Sequence, residues 1–415
     1  MRNTFFKYLP MLLLAACYSP EPYVASADDG SSKDASVSSK IGTVYPVNKL
    51  PSPRNQNAQI CNPSVSQDPV NFPASMLWLN FSGDLGVKAP DSVYNVVDDK
   101  KNKVRVLQHD RLTISDTSEH VLWYLMRDTA NGDCQFQDPE WSTHPNFIAS
   151  LRAYDVTGSK VCDVSNLDYG IIAVRISDKK RFVFYKKNES EYGDPHIWVD
   201  PSVTEVDTSA SDTTISGFFG TDNVRLVFVR TKGEGEKKVR EFVFRDFANG
   251  GKEVKLKLPK GYNGKSLENP VISPDGQFVV YNLVDGTNLE AYIQGLSKDA
   301  EPIKIERVAG MLNDPAMPRW FKLDNRLFVV WAEFVSNLDF SSNRNDYTLT
   351  SVQDGSIGRT AMREIRLAAG TASDLAVEWI GDVRDVAPVP MIGGRSSDGR
   401  YLATGTSYGF LIKLP

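Results

Sequence analysis

Gly405-Thr406-Ser407-Tyr408-Gly409 spells G-x-S-x-G, the spacing in which a strained strand-to-helix turn lifts a serine into position for acyl transfer. A serine there needs an acid and a histidine to activate it, supplied further along the chain. Only Phe-Leu-Ile-Lys-Leu-Pro follows Gly409, with no Asp, Glu or His and too little length for the helix. Ser407 therefore reads as a turn serine. Asp382 and Asp385 in GDVRD offer paired carboxylates of the sort that flank a glycosidic bond, but acids three apart near a strand end read more simply as a solvated loop. Asp128, Asn131, Asp133 and Asp138 offer oxygen ligands without the spacing of a calcium loop. The four histidines, His109, His120, His144 and His196, form no H-x-H or H-x-x-x-H pair and are expected at the surface or in loops. No catalytic residue, metal site or cofactor is expected.

The N-terminus speaks to location. Arg2 and Lys7 precede an apolar stretch from Leu9 to Ala16, the layout of an export signal and too short to span a bilayer. Leu14-Ala15-Ala16-Cys17 resembles the lipobox of bacterial lipoproteins. The resemblance implies that residues 1–16 are removed and that Cys17 is acylated, each buried methylene adding about 0.8 kcal/mol to the anchor. Tyr18 stands where an aspartate would act as an inner-membrane retention signal, so the outer membrane is favoured. Residues 17–40, rich in Ser, Ala and Asp and poor in bulky apolar residues, are expected to be a flexible tether, with a mean reach of about 25–30 Å.

Loss of Arg2 and Lys7 with the leader leaves 45 basic against 52 acidic residues, a net charge of −7. That balance lacks the basic excess of a nucleic-acid binder. Besides Cys17 there are three cysteines, Cys61, Cys134 and Cys162, so at most one pair closes within the chain. Cys134 with Cys162 is the expected disulfide, and three free thiols are the alternative.

Residues 41–415 must supply the fold. A polar turn followed by about four bulky residues recurs as SMLWLN (75–80), SDTSEHVLWY (115–124), SDKKRFVFY (177–185), TDNVRLVFV (221–229), SPDGQFVVY (273–281), KLDNRLFVV (322–330) and SSDGRYLAT (396–404). Most steps lie near the 40–50 residues of a propeller blade. Further strand-like runs follow each copy, and helical periodicity is nearly absent. KGEGEKKVR, Lys232 to Arg240, reads as a solvated hairpin turn.

Ser273-Pro274-Asp275-Gly276 with its apolar strand, and Ser397-Asp398-Gly399 in part, resemble the PD40-type repeat of TolB-like β-propellers. The resemblance implies an all-β propeller of four-stranded antiparallel blades. Seven are favoured by the seven copies, and six, as in the TolB type, is the alternative. The chain ends after a third strand, so Ile41 to Val47 or Gln59 to Val65 is expected to complete the last blade and shut the ring. The seven tryptophans read as packing between blades. The function expected is a lipid-anchored envelope module, monomeric, binding a protein or polysaccharide through one face. A polysaccharide lyase or glycosidase is the alternative, which two convergent carboxylates or three convergent histidines in the channel would favour.

Overall fold

The computed structural model describes residues 37–38, 43–47, 60–80, 111–118, 120–155, 167–186, 191–208, 211–233, 239–262, 266–285, 288–307, 315–323, 326–333, 338–343, 346–351, 360–368, 376–387, 401–405 and 409–413. They form antiparallel sheets, one α-helix of five residues and a 3-10 turn at Thr129–Asn131.

Two short strands come first, β1 (Val37–Ser38), inside the expected tether, and β2 (Thr43–Pro46). The first blade holds β3 (Ile60–Val65), β4 (Ser75–Asn80), β5 (Arg111–Asp116) and β6 (Val121–Met126). The second holds β7 (Asp133–Trp141), β8 (Phe147–Asp155), β9 (Leu167–Arg175) and β10 (Arg181–Tyr185). Then β11 (Glu191–Val199) leads through helix α1 (Ile215–Phe219) to β12 (Val224–Lys232), β13 (Val239–Asp246) and β14 (Glu253–Lys255). The fourth blade is β15 (Ser266–Ile272), β16 (Phe278–Asp285), β17 (Asn288–Gly295) and β18 (Ile303–Lys304). The fifth is β19 (Pro315–Leu323), β20 (Arg326–Glu333), β23 (Thr360–Ala368) and β24 (Ala376–Ala387), interrupted by a hairpin of β21 (Leu338–Asn343) and β22 (Asp346–Ser351). A further four-stranded sheet joins the chain ends: β25 (Tyr401–Gly405) and β26 (Gly409–Lys413) continue into β2 and β1, with Val44 opposite Ile412.

Five blades thus follow one another along the chain, which corrects both expected counts, seven and six. The cause lies in the repeat that was counted. A polar turn before an apolar strand marks any strand leaving a turn, not one position per blade. SMLWLN is β4 and SDTSEHVLWY ends in β6, two strands of the same blade, while SDKKRFVFY ends in the last strand of the next.

Strands with both faces covered must be apolar on both, and the core lies in slabs between successive sheets. Leu77, Ile114 and Trp123 of the first blade pack on Trp141, Ile148 and Val174 of the second. Phe147, Ile171 and Ala173 meet Ile197, Leu226 and the α1 residues Phe218 and Phe219. Val227 and Phe242 meet Ile272 and Tyr281, and Val280 and Ile293 meet Trp320 and Trp331. Trp78 packs with Val47 and Leu411 of the closing sheet. Indole N–H groups stitch the junctions further, Trp198 to the Pro274 carbonyl at 2.9 Å and Trp320 to the Val271 carbonyl at 2.9 Å.

Candidate functional site: a central acid cluster

The first strand of each blade carries a proline in its middle: Asn62-Pro63, Asp138-Pro139, Asp194-Pro195, Asn269-Pro270 and Met317-Pro318. Proline has no amide to give to the ladder, and at each pair the register with the second strand jumps. The residue before the proline turns left-handed, with φ of 45° at Asp138, 44° at Asp194, 53° at Asn269 and 50° at Met317. Asp and Asn tolerate that conformation best among residues with a Cβ. Each bulge re-aims the side chains beside it. Consecutive first strands pack on one another, so the bulges stand together around the axis.

After four of the five prolines the next residue is polar, Ser64, Glu140, His196 and Arg319, and these make one belt, while Val271 after Pro270 joins the apolar core. Ser64 Oγ donates to Glu140 Oε1 at 2.9 Å and accepts from the Trp141 amide at 3.0 Å, joining the first and second blades. His196 accepts at Nδ1 from the Ile272 amide at 3.2 Å and is hydrogen-bonded to the Trp141 backbone, so one neutral ring spans three blades. Burial, then the nearby Arg319, holds its pKa down at about 3. Arg319, only 4% exposed, reaches from the fifth blade to Glu140 of the second, with Nη2 3.5 Å from Oε2. These blades are not neighbours, so the pair crosses the centre of the ring. Burial raises the Glu140 pKa despite Arg319 and Ser64.

Beside this belt three acids gather from three successive first strands: Asp138 on β7, Asp194 on β11 and Glu268 on β15. Asp194 lies deep in the ring and keeps part of its surface in contact with solvent. Burial, and then the charges of Asp138 and Glu268, push its pKa well above the usual range, against the Asn269 backbone and Arg319. Glu268 is raised to about 7, first by burial and then by Asp138, with Ser266 and Arg240 opposing. Asp138 also bears on Tyr169, whose pKa is pushed up to about 12, chiefly by burial. Two polar atoms here are buried without a hydrogen-bond partner, Glu268 Oε1 and Arg319 Nε. Among the described residues no three His, Cys, Asp or Glu side chains stand close enough to share a metal ion.

The residues singled out in the sequence fare unevenly. Ser407, Cys17, Cys162 and His109 lie outside the described residues, as do the side chains of Asp382 and Asp385 on β24. Cys134 is fully buried and disulfide-bonded. Asp128 and Asn131 cap a short turn, with Asn131 Nδ2 donating to Asp128 Oδ2 at 2.6 Å. Asp133 is buried between Arg152 and Arg181, and Asp138 lies further along β7 near Asp194, so these four do not converge. His120 is exposed as expected and His144 lies in the loop between β7 and β8, though buried, whereas His196 is buried on β11, which corrects its placement at the surface or in a loop. The cause is that each ring satisfies backbone groups in the interior, His144 Nε2 lying 2.6 Å from the Val203 carbonyl oxygen. Glu140, Asp194, Glu268 and Arg319 were not foreseen. Their signal was the X-Pro pair recurring once per blade.

No protein-family model matches the chain, and no curated protein matches it. Solved structures similar to it include TolB from Acinetobacter baumannii (13% identity, 85% of this chain and 54% of that one, TM-score 0.34). A thermostable family-43 glycoside hydrolase shares 12% identity over 82% of this chain and 97% of its own, with a TM-score of 0.38. An oligogalacturonate lyase in complex with manganese shares 12% over 86% and 78%, with a TM-score of 0.36. None resembles the chain closely enough to lend it a function.

Proposed function

We propose that this β-propeller is an exported protein, held at the cell envelope by lipid on Cys17, that binds a polysaccharide through the mouth of its channel. The observation that supports this is the convergence of Asp138, Asp194 and Glu268 from three blades. Carboxyl groups accept hydrogen bonds from vicinal hydroxyls, and a sugar ring can satisfy several at once while its oxygens accept from a donor such as Arg319 Nε. The Arg319–Glu140 pair crosses the centre of the ring, so the ligand is taken at a mouth of the channel and does not thread through that level.

A second reading, hydrolysis of the bound glycan, is favoured by one specific observation. Glu268, with a pKa of about 7 beside other acids, has the character of a general acid working near neutrality. Purified full-length protein titrated calorimetrically against neutral, acidic and amino oligosaccharides tests the binding reading. Saturable binding weakened about tenfold or more by D194N is the expected result, and no binding to any class would overturn it. Appearance of reducing ends in the same samples, lost in E268Q, would establish the enzymatic reading. Their absence would leave a binding module.

A further inference from the structure

We propose that the chain cuts itself at the Asp194–Pro195 peptide bond, the Asp194 side chain acting as nucleophile on its own carbonyl carbon. The bond lies in the first strand of the third blade, within Tyr192-Gly193-Asp194-Pro195-His196. The proline nitrogen carries no hydrogen, so the imide ring that an aspartyl side chain can form with the next amide nitrogen is closed to Asp194. One intramolecular route is left to the carboxyl group. Its oxygen attacks the Asp194 carbonyl carbon and closes a five-membered cyclic anhydride. The C–N bond to Pro195 breaks, and the carboxyl proton passes to the prolyl nitrogen, which leaves as a secondary amine. Water then opens the anhydride, leaving Asp194 as a C-terminal residue with both carboxyl groups free.

The fold prepares this bond. Asp194 is left-handed, with φ of 44°, a conformation costly for a residue with a Cβ and relieved once the bond is cut. The register between β11 and β12 jumps between Gly193, opposite Val229, and His196, opposite Val227. The peptide unit therefore sits in a bulge and can become tetrahedral without breaking a rung of the ladder. The Asn269 amide of β15 hydrogen-bonds the Asp194 carboxyl group, which fixes the nucleophile. Part of the Asp194 surface meets solvent, which supplies the water.

The surroundings keep the proton in place. The charged groups facing Asp194 are Asp138 on β7 and Glu268 on β15, with Arg319 on β19 opposing them while engaged by Glu140. His196, two residues along β11, is neutral. From β8, β9 and β12 come Leu151, Ile171 and Phe228, with Tyr169 uncharged. Burial, then Asp138 and Glu268, hold the Asp194 carboxyl protonated at a pH where an exposed aspartate has ionised. Asp138–Pro139 sits in a like bulge with φ of 45°, but Asp138 acts on Asp194 as a negative charge. A carboxylate has no proton to give the leaving nitrogen, so the cut is confined to Asp194 and slows as pH rises.

The test is incubation of purified full-length protein with protease inhibitors at pH 5.5 and 9.0, followed by denaturing electrophoresis and intact-mass measurement. Cys17, Cys61, Cys134 and Cys162 all precede Asp194, so no disulfide within the chain joins the two pieces, while the ladder on either side of the bulge holds the nicked ring together until it is denatured. The expected result is one fragment ending at Asp194 and one beginning at Pro195, formed at least tenfold faster at pH 5.5 than at 9.0. Folded protein should be cut at least tenfold faster than protein unfolded in urea at pH 5.5, with Asp138–Pro139 intact. D194N, its folding checked by melting temperature, should stay whole. The wild-type result needs no variant, so a misfolded D194N would not spare the proposal. An uncut chain at pH 5.5, a cut no faster in folded than in unfolded protein, equal cutting at Asp138–Pro139, or a folded D194N cut at the wild-type rate overturns it.

Discussion

Glu268 keeps a proton close to neutrality because burial strips water from its carboxylate and the charge of Asp138 adds to that cost. The consequence for stability has a definite sign. Its folded pKa of about 7 lies above the unfolded value of 4.5, so the folded state binds the extra proton between these limits. The associated stability is fully present below about pH 4.5 and is lost as pH rises through about 7. His196 works the other way. With a folded pKa of about 3 against 6.5 when unfolded, it costs stability as pH falls from 6.5 toward 3. E268Q removes the first effect and, by taking a charge from beside Asp194, lessens the upward push on that group, which acts in the same direction. Its melting temperature relative to wild type should move in the variant's favour by a few degrees between pH 4.5 and 8. A pH-independent difference would show that Glu268 titrates normally.

At the scale of single elements, the turn Ser273-Pro274-Asp275-Gly276 shows how local sequence becomes a junction between blades. Asp275 Oδ1 accepts from the Gln277 amide at 3.0 Å, and Ser273 Oγ accepts from the Phe278 amide at 3.0 Å, closing the turn. Gly276 adopts φ of +74°, and a Cβ there would sit 2.7 Å from Arg225 Nη1 and 2.8 Å from the Trp198 ring. Both belong to the preceding blade. Gly276→Ala should therefore destabilise the protein by about 1–3 kcal/mol, read from the midpoint of urea unfolding; an unchanged midpoint would contradict the packing described. This turn was legible in the sequence because its geometry is set by four adjacent residues. The all-β class was legible for a similar reason, since alternation and turn chemistry are local. The channel acids were not. Asp194 and Glu268 are unremarkable as letters, and they become a site only when the first strands of different blades are brought side by side. His196 misled for the same reason, its partners Trp141 and Ile272 lying in other blades. The blade count failed because β4 and β6 carry the same turn-and-strand signature within one sheet.

For the molecule as a whole, pairing of β2 with β26 fixes where the chain enters the ring, because Thr43 lies opposite Lys413 and Pro46 opposite Phe410. Sheets that end in one another leave fewer exposed edges, and the junction with the first blade is sealed by Val47, Trp78 and Leu411. A lipid on Cys17 would hold this entry side toward a bilayer by the tether alone. Cys17→Ala should move the protein from the membrane fraction to the soluble fraction without changing its melting temperature. Unchanged membrane association would remove the anchor. The most direct test of the central claim, that the channel mouth is the ligand site, is a crystal structure of the protein soaked with the oligosaccharide it binds most tightly. The account predicts sugar hydroxyl or amine groups within hydrogen-bond distance of Asp194 and Glu268. Sugar bound on an outer face of the blades, with the channel acids untouched, would contradict it.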